Sequence, residues 1–289
     1  MPEAGADVDA QAGVSPRTGP YPPKGLILGI YGAFVRDLGG WIAVSHLITL
    51  LADLGVDQQA VRAATSRLRR RGLLATERRN GLAGYGLTET GLDVLAEGDQ
   101  RIYVTSAPAS LADGWTLVVF SVPESRRDRR HVLRSRLAWL GFGNLAPGVW
   151  IAPARLRPEL ENTLGRLGLT GYVDVFEAHY HGFEAVRALV ERSWDLPALA
   201  AQYEQFLADQ RPVLRRWEND GVRRTGREGF ADYLLALTQW RRLPFLDPGL
   251  PPEVLPPGWP GHAASAVFHA LRTRIEPAAR HWVRSVVDQ

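Results

Sequence analysis

Five side chains with hydrogen-bonding heads, Gln58, Gln59, Arg62, Ser66 and Arg69, recur along the stretch VDQQAVRAATSRLRRRGLL at the spacing of one side of a helix. A glutamine amide offers both a donor and an acceptor, and an arginine guanidinium is a planar fork of donors. Such a row suits partners that present flat, paired hydrogen-bonding edges or anionic oxygens. The local charge points the same way: from Asp57 to Arg79 the chain holds seven arginines against Asp57 and Glu77, although the net charge of the whole protein is only +3. Two other segments compete. Residues 126–136 hold six arginines against Asp128, and residues 211–227 hold six against Glu218 and Asp220. Lys24 is the sole lysine, so a bias of genomic base composition would also produce the preference for arginine, and charge alone does not choose among the three.

The elements that must position the first cluster are what set it apart. WIAVSHLITLLADLG (41–55) reads as a short extended start and then a helix with Ser45 as its cap, and Leu47, Leu50, Leu51 and Leu54 form one apolar stripe. Gly55 ends that helix, and Asp57 is the expected cap of the next. There Val61, Ala64 and Leu68 fall at i, i+3 and i+7, which turns them inward and leaves Gln58, Gln59, Arg62, Ser66 and Arg69 outside. Gly72 stands where a helix end favours a left-handed residue, and LLATERRNGLAGYGLTETG reads as strand, Asn80-Gly81 turn and returning strand. Helix, turn, helix and hairpin within about fifty residues predict a winged helix-turn-helix, in which the second helix enters a major groove. Arg62 then suits a guanine, and Gln58 and Gln59 suit an adenine or a phosphate. Ser66 and Arg69 lie farther along the face, while Arg78 and Arg79 at the hairpin tip can hold phosphates or a minor groove. Arg67, Arg70 and Arg71 read as a solvated helix end whose charge complements the helix dipole.

Composition bounds the rest. The 289 residues, 45% of them hydrophobic, suffice for two or three small cores. The absence of cysteine excludes disulfide frameworks, Cys-based zinc sites and thiol nucleophiles, and fits a reducing compartment. Residues 1–23 carry no basic start or apolar core and are expected to be a disordered tail. The apolar run GLILGIYGAFV is far short of the roughly 18 to 20 residues of a membrane span, so a cytoplasmic protein with no membrane partner is expected.

Before the helix pair, Leu26 or Ile27, Ile30, Phe34 and Leu38 keep helical spacing; after it, Thr88 caps a linker helix, so the first domain is expected over residues 24–103. A middle domain follows at 112–182. GWTLVVFSVPE is a continuous apolar strand, SRRDRRHVLRSRLAWLGFG a helix that buries Leu133, Leu137 and Leu140 and leaves Arg126, Arg127, Arg130 and Arg134 solvated, and GNLAPGVWIAP a turn and strand. RPELENTLGRLG and GYVDVFEAHY add a helix and a final strand, an order that suggests a small ferredoxin-like α+β fold. Residues 183–289 read as a mainly helical domain interrupted by the segment 243–261. Its seven prolines should exclude regular helix and make it a stiff connection that wraps a surface and walls a ligand site. The fold class is therefore multidomain α+β.

Other chemistries fare less well. His179 and His181 of HYH share one face of a strand, but no third ligand is spaced to complete a zinc set, so no metal or cofactor is expected. GYGLTETG and GFGNLAPG lack the order of a phosphate-binding glycine loop, and no catalytic residue is assigned.

VDQQAVRAATSRLRRRGLL, together with LAWLGFGNLAPGVWIAP, SWDLPALAAQYEQF and DPGLPPEVLPPGWPG, resembles the PaaX-like family, the transcriptional repressors of phenylacetic acid degradation, over about residues 24–287. The resemblance implies a non-enzymatic, homodimeric repressor with a winged-helix reader, a middle domain similar in fold to the Cas2 nucleases, and a C-terminal domain. It also implies an operator of double-stranded DNA and release from it by an aryl-acyl-CoA, phenylacetyl-CoA or a related thioester. Gln58, Gln59 and Arg62 occupy the matching recognition-helix positions. An acyl-CoA needs an apolar slot and cations for its phosphates, for which Trp240, Arg241, Arg242 and the proline-rich segment with Trp259 are the candidates. Two alternatives stand beside this reading. One is a nucleic-acid-processing enzyme using the Cas2-like domain, against which VVFSVPE puts Ser121 and Pro123 where a metal-binding aspartate belongs; the other is an enzyme acting on acyl-CoA itself.

Overall fold

The computed structural model describes residues 21–103, 109–219 and 224–289; the expected disordered tail falls almost wholly outside them. The chain forms two compact units. The first combines residues up to Val104 with Phe206–Arg241 and Ala263–Gln289, and the second combines Thr105–Gln205 with Arg242–His262.

In the first unit α1 (Pro23–Ile30) runs into a π-helical turn, Tyr31–Val35, and a short 3-10 turn. β1 (Trp41–Ala43), α2 (Val44–Ala52), α3 (Gln58–Arg70), β2 (Leu74–Arg79), β3 (Leu82–Leu87) and α4 (Glu89–Ile102) follow, with the strands ordered β1-β3-β2 and antiparallel throughout. Leu47, Leu50 and Leu51 from α2 meet Val61, Ala64 and Leu68 from α3, all fully buried, as the stripe spacing requires. Asn80 and Gly81 both take positive φ, 49° and 80°, which matches the right-handed twist of the flanking strands and closes a two-residue hairpin. Thr88 caps α4 by accepting from the Gly91 amide at 3.0 Å.

Ser45 is not the cap of α2. The helix begins one residue earlier, because Ala43 is held in the sheet opposite Gly84 and passes directly into the first turn; the Ser45 carbonyl instead accepts from the Thr49 hydroxyl.

Helices from the end of the chain complete this unit. Within it α1 lies against α3 on one side and against a helix over residues 226–240 on the other, and two glycines four residues apart permit the second approach. A Cβ on Gly29 would come within 2.8 Å of Leu234, and one on Gly25 within 3.0 Å of the Arg241 guanidinium.

The second unit starts with β4 (Trp115–Phe120), α5 (Arg127–Trp139), β5 (Gly143–Ala146), β6 (Val149–Pro153), α6 (Arg157–Leu167) and β7 (Val173–Ala178). The sheet order is β5-β6-β4-β7, all antiparallel, the split β-α-β arrangement with one helix after each half. The sequence suggests a single strand in GNLAPGVWIAP. The structure has two, because Gly148 at φ 77° turns the chain back so that Gly143–Ala146 pairs with β6. The sheet is covered on both faces, which is why β4 reads as an unbroken apolar run. Val118, Trp150 and Ala152 meet α5 and α6 through Leu133, Leu137, Leu160 and Leu164. On the opposite face Trp115 and Ile151 meet Leu189 of α7 (Val186–Ser193), Leu196, Leu250 and Val254.

α8 (Leu196–Glu218) carries the chain onward into α9 (Gly226–Trp240), and α10 (Leu243–Leu246) and α11 (Gly261–Val287) finish it. The one-turn α10 inside the proline-rich segment is a departure from the expectation of no helix, and it is tolerated because Pro244 sits in the first turn, where its missing N–H has no intrahelical partner. Residues of the later motifs that carry the family resemblance are internal ties of the second unit. Trp194 of SWDLP donates to the Gly141 carbonyl of LGFG at 2.9 Å, Asp195 accepts from the Ala198 amide at the start of α8, and Asp247 of DPGLPP accepts from the Tyr203 hydroxyl and the Gly249 amide. Arg155 donates to the Pro248 carbonyl at 2.8 Å, and an added Cβ on Gly249 would overlap its guanidinium.

Candidate nucleic-acid interface

α3 is set by three local devices. The Asp57 side chain accepts from the Ala60 amide at 2.8 Å and closes the N-terminal turn. Val61, Ala64 and Leu68, together with the buried Thr65 whose hydroxyl returns to the Val61 and Arg62 carbonyls, fix which side faces inward. Gly72, at φ 72°, stops the helix and sends the chain into β2. With that orientation Gln58, Gln59, Arg62 and Arg69 are exposed and Ser66 half-exposed along one side, the row that the spacing predicts.

Two of these side chains act together. With its amide oxygen turned toward Arg62, Gln58 accepts from Nε and Nη2 at 3.1 and 2.9 Å. One edge of the guanidinium is thus held by a neutral acceptor one turn earlier while the remaining N–H groups point outward with the full positive charge. Pre-orienting a fork of donors in this way lowers the side-chain entropy that binding a flat, two-acceptor edge would cost.

The hairpin arginines are less free than the sequence suggests. Arg79 is held by Glu77, Nε to Oε1 at 2.7 Å and Nη2 to Oε2 at 3.1 Å, and its guanidinium lies 5.5 Å from the centre of the Trp41 ring. The Arg79 hydrogen bond keeps the Glu77 carboxyl below its ordinary value, so this pair is an intramolecular neutral couple. Arg78 donates to the Gly81 carbonyl at 2.8 Å across the hairpin turn and remains exposed. The Glu77–Arg79 spacing, on one side of a strand, is the signal that could have revealed this pairing.

The scaffold behind α3 is anchored by residues that sequence reasoning misses. Asp53, at the end of α2 and with its side chain only 7% exposed, receives Arg227 at 2.8 Å and the Trp282 indole N–H at 3.1 Å. Asp37 receives Arg280 at 2.6 Å, and Arg280 and Arg272 both bond Glu276, which also accepts from the Tyr233 hydroxyl. The partners of Asp53 and Asp37 are about 175 or more positions away in the chain, so no local pattern marks these pairs.

The four candidates for an effector site are divided between the two units. Trp240 is buried in the first unit, stacked on Phe268 with centroids 4.9 Å apart and donating to the Ile102 carbonyl, and Arg241 is half-buried beside Gly25 in the same unit. Arg242 is exposed and belongs to the second unit, as does Trp259. Trp259 borders an open groove of about 540 Å³ with Arg187, Leu255, Pro256, Pro257 and His262, so the proline-rich segment forms much of its wall.

His179 and His181 stand in no metal-holding group: among the described residues no three His, Asp or Glu side chains are placed to bind an ion. Among the same residues no helix is long and apolar enough to cross a membrane.

The architecture is thus that of a multidomain α+β protein with a basic helix displayed over a buried helical scaffold, and comparisons with known proteins give it a family. Three family models match in tandem: "PaaX-like protein" over residues 23–91, "PaaX protein central Cas2-like domain" over 108–190, and "PaaX-like protein C-terminal domain" over 194–285. The Escherichia coli K12 protein named "Transcriptional repressor PaaX" is 32% identical over 267 residues, covering 91% of this chain and 84% of its own length. The chain belongs to the PaaX family. A solved structure, "Uncharacterized protein Rv0674 from Mycobacterium tuberculosis", is similar in fold with a TM-score of 0.61 at 22% identity, over 91% of this chain and 98% of that one.

Proposed function

We propose that the protein is a DNA-binding transcriptional repressor whose N-terminal region forms a winged helix-turn-helix and whose α3 reads the major groove. The observation that carries this is the outer side of α3, with Gln58 holding Arg62 as an outward-facing fork beside Gln59, Ser66 and Arg69. Membership of the family, together with the printed name of the E. coli relative, supports the same reading.

In this reading residues 24–103 are the reader, 112–182 the Cas2-like middle domain and 183–289 the C-terminal domain, and the protein is a non-enzymatic cytoplasmic homodimer. Two-fold symmetry then calls for an approximately palindromic operator with half-sites a whole number of helical turns apart. Release comes from an aryl-acyl-CoA such as phenylacetyl-CoA, and the groove bordered by Trp259 is where its acyl part fits best, with Arg187 and His262 available to its polar part. The effector shifts the protein toward a DNA-incompetent state by no more than its difference in affinity for the two states.

The test is fluorescence anisotropy with duplex from upstream of its own gene and with a scrambled duplex, with and without phenylacetyl-CoA. Specific binding that Arg62→Ala removes and the thioester relieves supports both halves of the reading. Specific binding indifferent to the thioester keeps the repressor and discards that effector. Equal binding to every duplex discards the reader.

A further inference from the structure

The second unit carries a basic face that the repressor reading does not use. On α5, Arg127, His131 and Arg134 stand at i, i+4 and i+7, opposite the buried Leu133, Leu137 and Leu140, and Arg126 precedes them at the helix start. All four are exposed. Their neighbours are committed elsewhere. Arg130 donates to Glu124 and to the Val122 carbonyl, Arg136 is buried, and Arg129 lies 4.0 Å from Asp128. Among the described residues Arg126, Arg127 and Arg134 enter no ion pair.

The place of these charges on the helix argues that they answer to something outside the chain. A helix N-terminus bears partial positive charge, so cations there are disfavoured and anions favoured. α5 has Arg126, Arg127, Arg129 and Arg130 at that end against Asp128 and, in the turn before it, Glu124, and no side chain caps it. In α3 the order is reversed, with Arg67, Arg69 and Arg70 in the last turn, where the dipole stabilises them without a partner. A base-composition bias toward arginine accounts for number but not for placement at the unfavourable end.

We propose that Arg126, Arg127 and Arg134, with His131, form a second, sequence-independent contact surface for the phosphate backbone of duplex DNA beside the operator. Arg127 and Arg134 are separated by about 10 Å of helix rise. That compares with the roughly 12 Å width of a major groove, so the stripe spans from one phosphate row toward the next. No Phe, Tyr or Trp of α5 stands on this stripe, since Trp139 is stacked on Phe245 instead, which favours duplex over the unstacked bases of a single strand. This proposal rests on the repressor reading for why duplex is at hand.

The experiment compares the wild-type full-length protein with the triple variant R126Q/R127Q/R134Q and the triple variant R126K/R127K/R134K. Anisotropy is read over a salt series on a scrambled duplex of about sixty base pairs, on an operator-length duplex and on the long upstream duplex. Each phosphate contact contributes about 0.9 to the slope of log affinity against log salt, so loss of three should lower the glutamine variant's slope on long duplex by about 2 to 3. The lysine variant should keep the wild-type slope, and the ratio of upstream to scrambled affinity should be unchanged in both. An unaltered slope in the glutamine variant on long duplex overturns the proposal. Failure of the repressor reading shows separately, as a wild-type protein whose upstream-to-scrambled ratio is one, because the α5 slope is read on scrambled DNA as well.

Discussion

α3 and α5 are the same length, thirteen residues, and both are arginine-rich, yet they are built for different work. α3 begins with an aspartate cap and two glutamines and places three of its four arginines in its last turn. α5 begins with arginines, lacks a cap and has no amide side chain on its outer face. In the proposed reading the first arrangement supplies hydrogen-bonding forks suited to telling one base edge from another, and the second supplies charge suited to phosphates without regard to sequence. Net charge, the feature most visible in composition, does not separate the two.

Four outcomes would break or sharpen this contrast. The largest concerns what the two helices share. Leu68 of α3 and Leu137 of α5 are both fully buried, so Leu68→Ala and Leu137→Ala should each cost about 2–5 kcal/mol in urea unfolding. A loss below about 1 kcal/mol at either site, under the range for such a truncation, would mean that the helix is not anchored as described.

Alkaline titration should separate the units that carry them. Burial first, then the nearby Asp99 and Glu276, pushes the Tyr103 phenol in the first unit up to about 12, and Tyr31 and Tyr233 of that unit are raised still further, chiefly by burial. The folded state thus favours the neutral phenol. Its stabilisation is complete below the unfolded value near 10 and is lost as pH rises from about 10 through about 12, about 2–3 kcal/mol for Tyr103 alone. The second unit has one such phenol in Tyr203. Circular dichroism melts between pH 9 and 12 should show the midpoint falling as pH rises. A flat profile across that range would contradict the buried tyrosine network.

On binding, Arg62→Ala should reduce discrimination between upstream and scrambled duplex by about 1–3 kcal/mol, or roughly 5- to 150-fold, whereas Arg134→Ala should leave that ratio where it is. Equal effects from both would erase the distinction between reader and tracker. Gln58→Ala should share part of the Arg62 effect, since it releases the guanidinium. The smallest effect is at the helix start, where Asp57→Ala should destabilise the first unit by about 1 kcal/mol through loss of the 2.8 Å cap bond. Arg126→Ala, at the uncapped start of α5, should be neutral or slightly stabilising, and a clear destabilisation would show that Arg126 has an internal role.

Much of the reader is legible in the amino-acid sequence because its determinants are local. The Asp57 and Thr88 caps, the left-handed Gly72, the Asn80-Gly81 turn and the inward trio Val61, Ala64 and Leu68 each lie within a few residues of what they control. The expected Ser45 cap fails for the opposite reason. What starts α2 is the pairing of Ala43 with Gly84, forty-one positions away. The grouping of Trp240, Arg241 and Arg242 with Trp259 follows nearness along the chain, whereas the division into units falls between 241 and 242. Arg79 reads as an open cation along the chain, but strand geometry, rather than spacing alone, brings Glu77 and Trp41 to it.

By itself the amino-acid sequence determined the helix and turn boundaries around α3, the side of α3 that faces out, the alternation of the middle sheet and the family resemblance. These follow from periodicity, capping and φ preferences that act over a few residues. Only the tertiary structure decided that Asp53 and Asp37 beside α3 are held by Arg227, Trp282 and Arg280 from the other end of the chain, that the SWDLP and DPGLPP motifs tie the second unit together, and that Trp259 borders a groove. These depend on which buried surfaces meet, and a meeting between distant segments is set by the packing of the whole core rather than by any spacing within either one.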